Sequence, residues 1–205
     1  MSATTFGFAG DSLAPVDDGA SILLTGSDLD ALESVFFSLM EPSGDERPLV
    51  VSTAHRATEI GRQFDGEEHV ITSKGSSFDD SVTVVEDSDD LTTLGMELSA
   101  KFQEFGTERV RAGIFHTTDL CGRSGDTRSV YRFLNSNLMT HLRRQSAIGI
   151  GAIHTESEVG ADVDSIVRGM ETSFTGRIHV EDAGFSDATV TVDGLGNDGT
   201  FDIDL

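Results

Sequence analysis

Two places in the sequence hold side chains whose spacing could do chemistry. The first begins at Gly26, behind the apolar run Ser21–Gly26 (SILLTG) and ahead of a helical stripe. A phosphate-cradling loop reads GxxxxGK[ST]: backbone amides hold the phosphates, the lysine reaches the β and γ groups, and the hydroxyl holds magnesium. Counted from Gly26, the second glycine falls on Ala31, the lysine on Leu32 and the hydroxyl on Glu33, while Asp28 and Asp30 place negative charge inside the window. Such carboxylates repel a triphosphate but favour the positive end of a helix, by about 0.3–1 kcal/mol each. Gly26, Asp28, Asp30, Ala31, Leu32 and Glu33 are therefore read as a capped strand-to-helix turn. No cofactor and no metal is expected there.

The second place is His116, Asp119 and Cys121, at the end of an extended run over residues 109–117. A Cys/His pair can supply a nucleophile or ligate a metal. This spacing matches no strong motif of either kind, so Asp119 is expected in a surface loop and Cys121 without a catalytic role. His154 and His179 carry a weaker signal still. Asp193, Asn197, Asp198 and Gly199 offer oxygen ligands but lack the ordered alternation and terminal glutamate of a calcium loop, and read as a hairpin turn.

Charge marks a third feature. The chain has 205 residues, 36 acidic against 14 basic, for a formal charge of -22. Residues 109–144 contain seven arginines and only Asp119 and Asp126, so this stretch carries +5 while the rest carries -27. Arg123, Arg128, Arg132, Arg143 and Arg144 are candidates for an interaction face, because guanidinium forks pair with carboxylates. A protein partner or a second copy of the chain fits such a face better than nucleic acid, for which a domain this acidic lacks a broad basic stripe. The alternative is a set of helix-terminal and internal ion pairs.

Only Lys74 and Lys101 are lysines, and aspartate outnumbers glutamate. Such an excess of like charge is tolerable where salt screens it, with a Debye length of roughly 3 Å at 1 M. A salt-accumulating host and a cytoplasmic location are expected. Hydrophobic residues at 37% and their periodicity separate the chain from a disordered acidic tail. The lone Cys121 cannot form an internal disulfide, and no apolar run approaches the ~18 residues of a membrane span.

Elements that would position these groups follow from periodicity. After Ser21–Gly26, Leu29, Leu32, Phe36, Leu39 and Met40 take helical spacing, with Ser27 or Asp28 as the cap. Strands are predicted over residues 48–51, 69–72, 82–85, 109–117, 147–153, 173–180, 188–192 and 201–203, and a loop over 73–81. Helices are predicted over residues 54–64, from Leu91 to Phe105 behind Asp89 and Asp90, over 127–144 and over 162–170. Such alternation favours an α/β fold: a mostly parallel sheet with helices on both faces and a C-terminal edge hairpin. One domain over residues 1–205 is expected.

In order, the segments DDGASILLTGS, PLVVST, LTTLGMELS, RVRAGIFHTTDL and SVYRFLNSNLMTHLRRQSAIGIGAIHTE resemble haloarchaeal proteins of the RecA/KaiC-like superfamily of phosphate-loop ATPases, and in particular degenerate members with an eroded loop. The resemblance covers about residues 7–182 and leaves a β extension over 183–205. It implies a RecA-like sheet and, in active relatives, a magnesium-linked carboxylate at the end of the strand ending near Phe115. Phe115 itself stands at that position; Asp119, four residues on, is the alternative as a displaced substitute, with a surface-loop aspartate the preferred reading. The resulting expectation is a non-hydrolysing, regulatory or scaffolding interaction module. Two alternatives are an atypical ATPase completed by Asp119 or by residues of a neighbouring chain, and a DNA-associated accessory protein using the arginines.

Overall fold

Short apolar runs with no polar alternation demand a sheet covered on both faces. The computed structural model, which describes residues 5–8, 12–53, 55–64, 68–75, 80–85, 90–160 and 162–205, contains that sheet. The elements run β1 (Thr5–Phe6), β2 (Val16–Asp17), β3 (Ser21–Gly26), α1 (Leu29–Met40), β4 (Glu46–Ser52), α2 (Ala57–Ile60), β5 (His69–Thr72), β6 (Val82–Val84), α3 (Leu91–Phe105) and β7 (Arg109–Phe115). They continue with α4 (Thr117–Ser124), α5 (Thr127–Phe133), α6 (Met139–Arg144), β8 (Ala147–His154), α7 (Val163–Glu171), β9 (Gly176–Ala183), β10 (Asp187–Asp193) and β11 (Gly199–Asp204).

Nine strands form one sheet in the order β11-β10-β9-β3-β8-β7-β4-β5-β6. From β9 to β6 the pairing is parallel, and β10 and β11 add an antiparallel edge. β1 and β2 make a separate two-stranded antiparallel ribbon. Alternate residues enter opposite layers. Leu23, Val110, Ala112 and Ile114 pack with α3, α5, α6 and α7. Ile22, Leu24, Val50, Ile150 and Ala152 pack with α1 and α2. At Gly113 a Cβ would lie 2.6 Å from both the Met40 sulfur and the Phe36 ring, so α1 reaches the sheet only because this central position is glycine.

Several expected boundaries move. The strand expected over 109–117 stops at Phe115, because His116 turns into the left-handed region and α4 starts at once. Asp119 therefore lies in the first turn of a helix and not in a surface loop. The helix over 127–144 is interrupted by a π segment, Leu134–Leu138. Side chains there compete with the regular ladder: Asn135 Nδ2 donates to the Tyr131 carbonyl, Asn137 Nδ2 to Phe133, and Thr140 Oγ1 to Asn135. In place of the helix over 54–64 stand α2 and a 3-10 turn, Gly61–Gln63. The strand placed at 173–180 begins only at Gly176, since Ser173 and Phe174 still donate to the Met170 carbonyl as α7 ends. Ala54, Asp89 and part of the loop over 73–81 lie outside the described residues.

At the amino ends of the central strands two residues of the arginine-rich stretch turn inward. Arg111 is fully buried, its guanidinium 2.7 Å from the equally buried Glu46 carboxylate. It also donates to the Leu39 carbonyl at the end of α1 and to Gly7, each at 2.6 Å. Arg109 approaches the other Glu46 oxygen at 3.1 Å and lies over the Phe6 ring, 4.4 Å from its centroid. Removing one partner of such a buried pair leaves an uncompensated charge, at a cost of about 3–5 kcal/mol. Denaturant unfolding of Glu46→Gln in molar potassium chloride should show a loss of that size. The double variant Glu46→Leu/Arg111→Met should lose less, and equal losses would contradict the ion-pair account.

Candidate functional site

In an open α/β sheet the carboxyl ends of the strands are where ligands bind, and here β3, β8, β7 and β4 end side by side. The turn from β3 to α1 is two residues, Ser27 and Asp28. Asp28 is the cap: its Oδ1 accepts from the Ala31 amide at 2.8 Å, so the amide that could face an anion is already bonded to the chain's own carboxylate. Ala31 and Leu32 are buried against the core, and Asp30 is in the first turn of α1. Of the two lysines, Lys101 sits on α3 and is tied to Glu104 at 3.0 Å, and Lys74 follows β5.

Glu33 has a role the loop comparison did not foresee. Its carboxylate lies 3.2 Å from His55 Nε2. That hydrogen bond holds its pKa below the ordinary carboxylate value, against the opposing effect of burial. His55 Nδ1 in turn stands 3.4 Å from Ser52 Oγ. This order mimics a carboxylate–histidine–serine relay, but Ser52 is buried at the end of β4 and its hydroxyl accepts from the His55 backbone amide at 3.1 Å. The trio closes the β4 turn; it presents no nucleophile. His55 was not singled out from sequence, and only its position three residues past an apolar strand offered a signal.

Over β7 the position expected of a catalytic carboxylate holds the buried Phe115. Its ring centroid is 5.0 Å from Phe36, 5.2 Å from His55 and 4.4 Å from His116. An aromatic cluster therefore covers the carboxyl ends of β4 and β7. Asp119 accepts from Thr53 Oγ1 at 3.3 Å and lies 3.6 Å from Arg123, so its oxygens serve a link between β4 and α4. Cys121 points into the core, where burial pushes its thiol up to about 12 and leaves it inert as a nucleophile. His154 fastens β8 to the first turn: Nε2–H donates to the Ser27 carbonyl at 2.8 Å, and Nδ1 meets Ser157 Oγ at 3.0 Å. His179 Nδ1 meets Thr25 Oγ1 at 2.9 Å between neighbouring strands. Asp198 accepts from the Gly194 amide and closes the β10–β11 turn, as a hairpin turn should. Among the described residues no group of three or more His, Cys, Asp or Glu side chains could hold a metal ion.

All five candidate arginines are exposed, yet they are not gathered into one patch. Arg128 and Arg132, four residues apart, share a face of α5, and Arg123 lies in the last turn of α4. Arg143 and Arg144 end α6, on the order of 20 Å further along at 1.5 Å per helical residue. No helix among the described residues is long and apolar enough to cross a membrane.

His116, with φ 60° and ψ 49°, is the only described non-glycine residue at positive φ. Burial, aided by His55 and His154 and opposed by Asp119, holds its pKa below the ordinary 6.5. As pH falls, the unfolded chain takes up that proton first, so this contribution to stability is present above pH 6.5 and is lost below it. His69 and His141 share the direction, again chiefly through burial. In His116→Asn, whose new side chain tolerates the left-handed region, part of the decline in unfolding free energy just below pH 6.5 should disappear. Superimposable pH profiles for the two proteins would contradict this.

Fold comparison supplies the remaining context. No family model and no curated protein sequence matches the chain. Among solved structures, it is similar to a KaiC-like protein from the hyperthermophilic archaeon Pyrococcus horikoshii, with a TM-score of 0.60 at 12% identity over 93% of this chain and 91% of that one. It also overlaps a type III secretion system ATPase from pathogenic bacteria at a TM-score of 0.49 and 17% identity, over 83% of this chain and 53% of that one. The nine-stranded, mostly parallel sheet flanked by helices is thus a RecA-like α/β fold, shared with the KaiC-like protein, and the likeness extends to the fold alone.

Proposed function

We propose that the chain is a pseudo-ATPase of the RecA/KaiC-like type, a non-catalytic module that regulates or scaffolds through protein contacts in a salt-rich cytoplasm. One observation carries this reading: the turn where phosphate would bind is two residues long, and Asp28 caps it with its own carboxylate. The other parts agree with it. Leu32 occupies the lysine position and is buried, Glu33 is engaged by His55, and Phe115 fills the carboxylate position with an aromatic ring. Asp28, Asp30 and Glu33 further raise the electrostatic cost of bringing a triphosphate to this end of α1.

A surface role is supported by the exposed arginines of α4 and α5 in an otherwise acidic chain. Their separation from Arg143 and Arg144 disfavours a continuous track for a nucleic-acid backbone. Calorimetric titration with ATP and magnesium in molar potassium chloride should give no binding heat, and no phosphate should be released on incubation. Micromolar binding or magnesium-dependent turnover would overturn the pseudo-ATPase reading in favour of an unconventional nucleotide site. DNA affinity that falls with salt and vanishes in Arg128→Glu/Arg132→Glu would assign the arginines to nucleic acid instead.

A further inference from the structure

Among the described residues one large hydrophobic side chain stands exposed on a helix. It is Met96 of α3, at 59% exposure; the other two exposed ones, Phe185 and Leu205, lie in the β9–β10 turn and just after β11. Met96 lines a groove of about 780 Å³ between α3 and the helical run through α5 and the π segment. Leu91, Met96 and Ala100 face this groove from α3, and Ser129, Arg132 and Ser136 from the opposite bank. Its lining on α3 extends from Leu91 to Gln103, about 18 Å at 1.5 Å per helical residue. Gly95 sets how closely the banks approach: a Cβ there would lie 2.9 Å from the Asn137 amide, so glycine lets α3 settle against the π segment.

Charge distinguishes the two banks. Arg128 and Arg132, four residues apart on α5, are exposed, and among the described residues neither has a carboxylate within ion-pair distance, although the charge of Arg128 reaches Asp126. The carboxylates that cap the two helices are already engaged. Asp90 accepts from the Thr92 and Thr93 amides, and Asp126 from the Arg128 amide and the Ser129 hydroxyl. On α3 the one cation, Lys101, is buried and tied to Glu104. Positive charge therefore stands on the α5 bank, across from the apolar lip formed by Met96.

We infer that this groove docks an acidic amphipathic helix of a different protein, its apolar side against Met96 and Leu91 and carboxylates along one edge against Arg128 and Arg132. The assignment rests on the interaction role proposed above and gives it a site and a class of partner. Charge complementarity selects an acidic segment, because guanidinium forks without a carboxylate partner pair with carboxylates in bidentate fashion. Secondary structure selects a helix: both banks are helical and turn their backbone groups into their own ladders, so an extended segment finds no strand edge to pair with, whereas a helix arrives with its backbone satisfied. A second copy of this chain lacks the matching element, since among its described residues Met96 is the only large hydrophobic side chain exposed on a helix. A nucleic-acid backbone would meet guanidinium groups on one bank and a thioether on the other, without a continuous basic track. The flexible thioether of Met96 adapts to an inserted apolar side chain. In concentrated salt, with a Debye length of roughly 3 Å at 1 M, apolar burial and direct charge contacts are the forces that persist.

Fluorescence anisotropy in molar potassium chloride tests this with labelled helical peptides of about 14 residues, long enough to span the groove at 1.5 Å per residue. One peptide carries leucines on one face flanked by glutamates; a second has lysines in place of the glutamates, and a third has serines in place of the leucines. The leucine–glutamate peptide should bind at micromolar concentration, and the other two about tenfold more weakly or worse. Met96→Glu should weaken the leucine–glutamate peptide by a similar factor, and Arg128→Glu/Arg132→Glu should transfer the preference to the leucine–lysine peptide, each with unchanged circular dichroism. Should Met96→Glu fail to fold, Ala100→Glu takes its place. No binding of the leucine–glutamate peptide, equal binding of all three, or affinity unchanged in either groove variant would overturn the assignment. So would tighter binding of a DNA duplex at the same arginines, or sedimentation of the unmodified chain as an assembly that Met96→Glu dissociates, which would give the groove to a second copy. The two readings fail separately: nucleotide binding overturns the non-catalytic role whatever the peptides do, and absent peptide binding overturns the docking site whether or not nucleotide binds.

Discussion

The fold is organised around one buried ion pair, Arg111 with Glu46. Arg111 sits in the middle of a parallel sheet with no exposure, where an isolated guanidinium would be prohibitively costly to desolvate. Its partners therefore have to be supplied from every direction: Glu46 from the neighbouring β4, the Leu39 carbonyl from the end of α1, and the Gly7 carbonyl from the segment after β1. Each of those elements is fixed in register by the need to reach the same guanidinium. β4 pairs Glu46 with Arg109 and Pro48 with Arg111, and this alignment runs through to Ser52 and Phe115 at the opposite end. Charge at one end of the sheet thus sets which side chains meet at the other.

That other end is built on apolar contact. Where a nucleotide-binding sheet needs amides and hydroxyls pointing outward, β4 and β7 finish beneath Phe36, Phe37, Phe115 and His55. The polar groups that remain are paired with one another: Glu33 with His55, Asp119 with Thr53 and Arg123, and His154 with Ser27 and Ser157. Among the described residues, much of the hydrogen-bonding capacity at this end is taken up within the chain. On the helical surface, among the described residues, neither Arg128 nor Arg132 has a carboxylate within ion-pair distance, although the charge of Arg128 reaches Asp126.

Elements governed by local periodicity were legible in the sequence. The stripe Leu91, Leu94, Leu98, Phe102 and Phe105 with Gly106 at its end became α3 and its C-cap, and the turn at Asp28 took the geometry that its capping residue dictates. The misses have a common cause in competition between local preference and tertiary contact. α4 is polar and poor in helix formers, and it exists because His116 reverses the chain and Leu120 and Cys121 reach the core. The π segment arises from asparagine side chains bonding to the backbone inside an otherwise regular stripe. At the site, the missing phosphate-loop chemistry could be counted directly from Gly26, whereas the pairing of Glu33 with His55 joins residues 22 positions apart and leaves no periodic trace.

Asp28 has a further implication for how this turn can respond to its surroundings. A carboxylate attached three residues before the amide it accepts from is present at an effective concentration that a dissolved anion at cellular levels does not match. The turn behaves as though permanently saturated by a ligand encoded in the chain itself. A dissolved anion would have to displace the Asp28 carboxylate to reach the Ala31 amide, so that position of the turn is filled from within the chain.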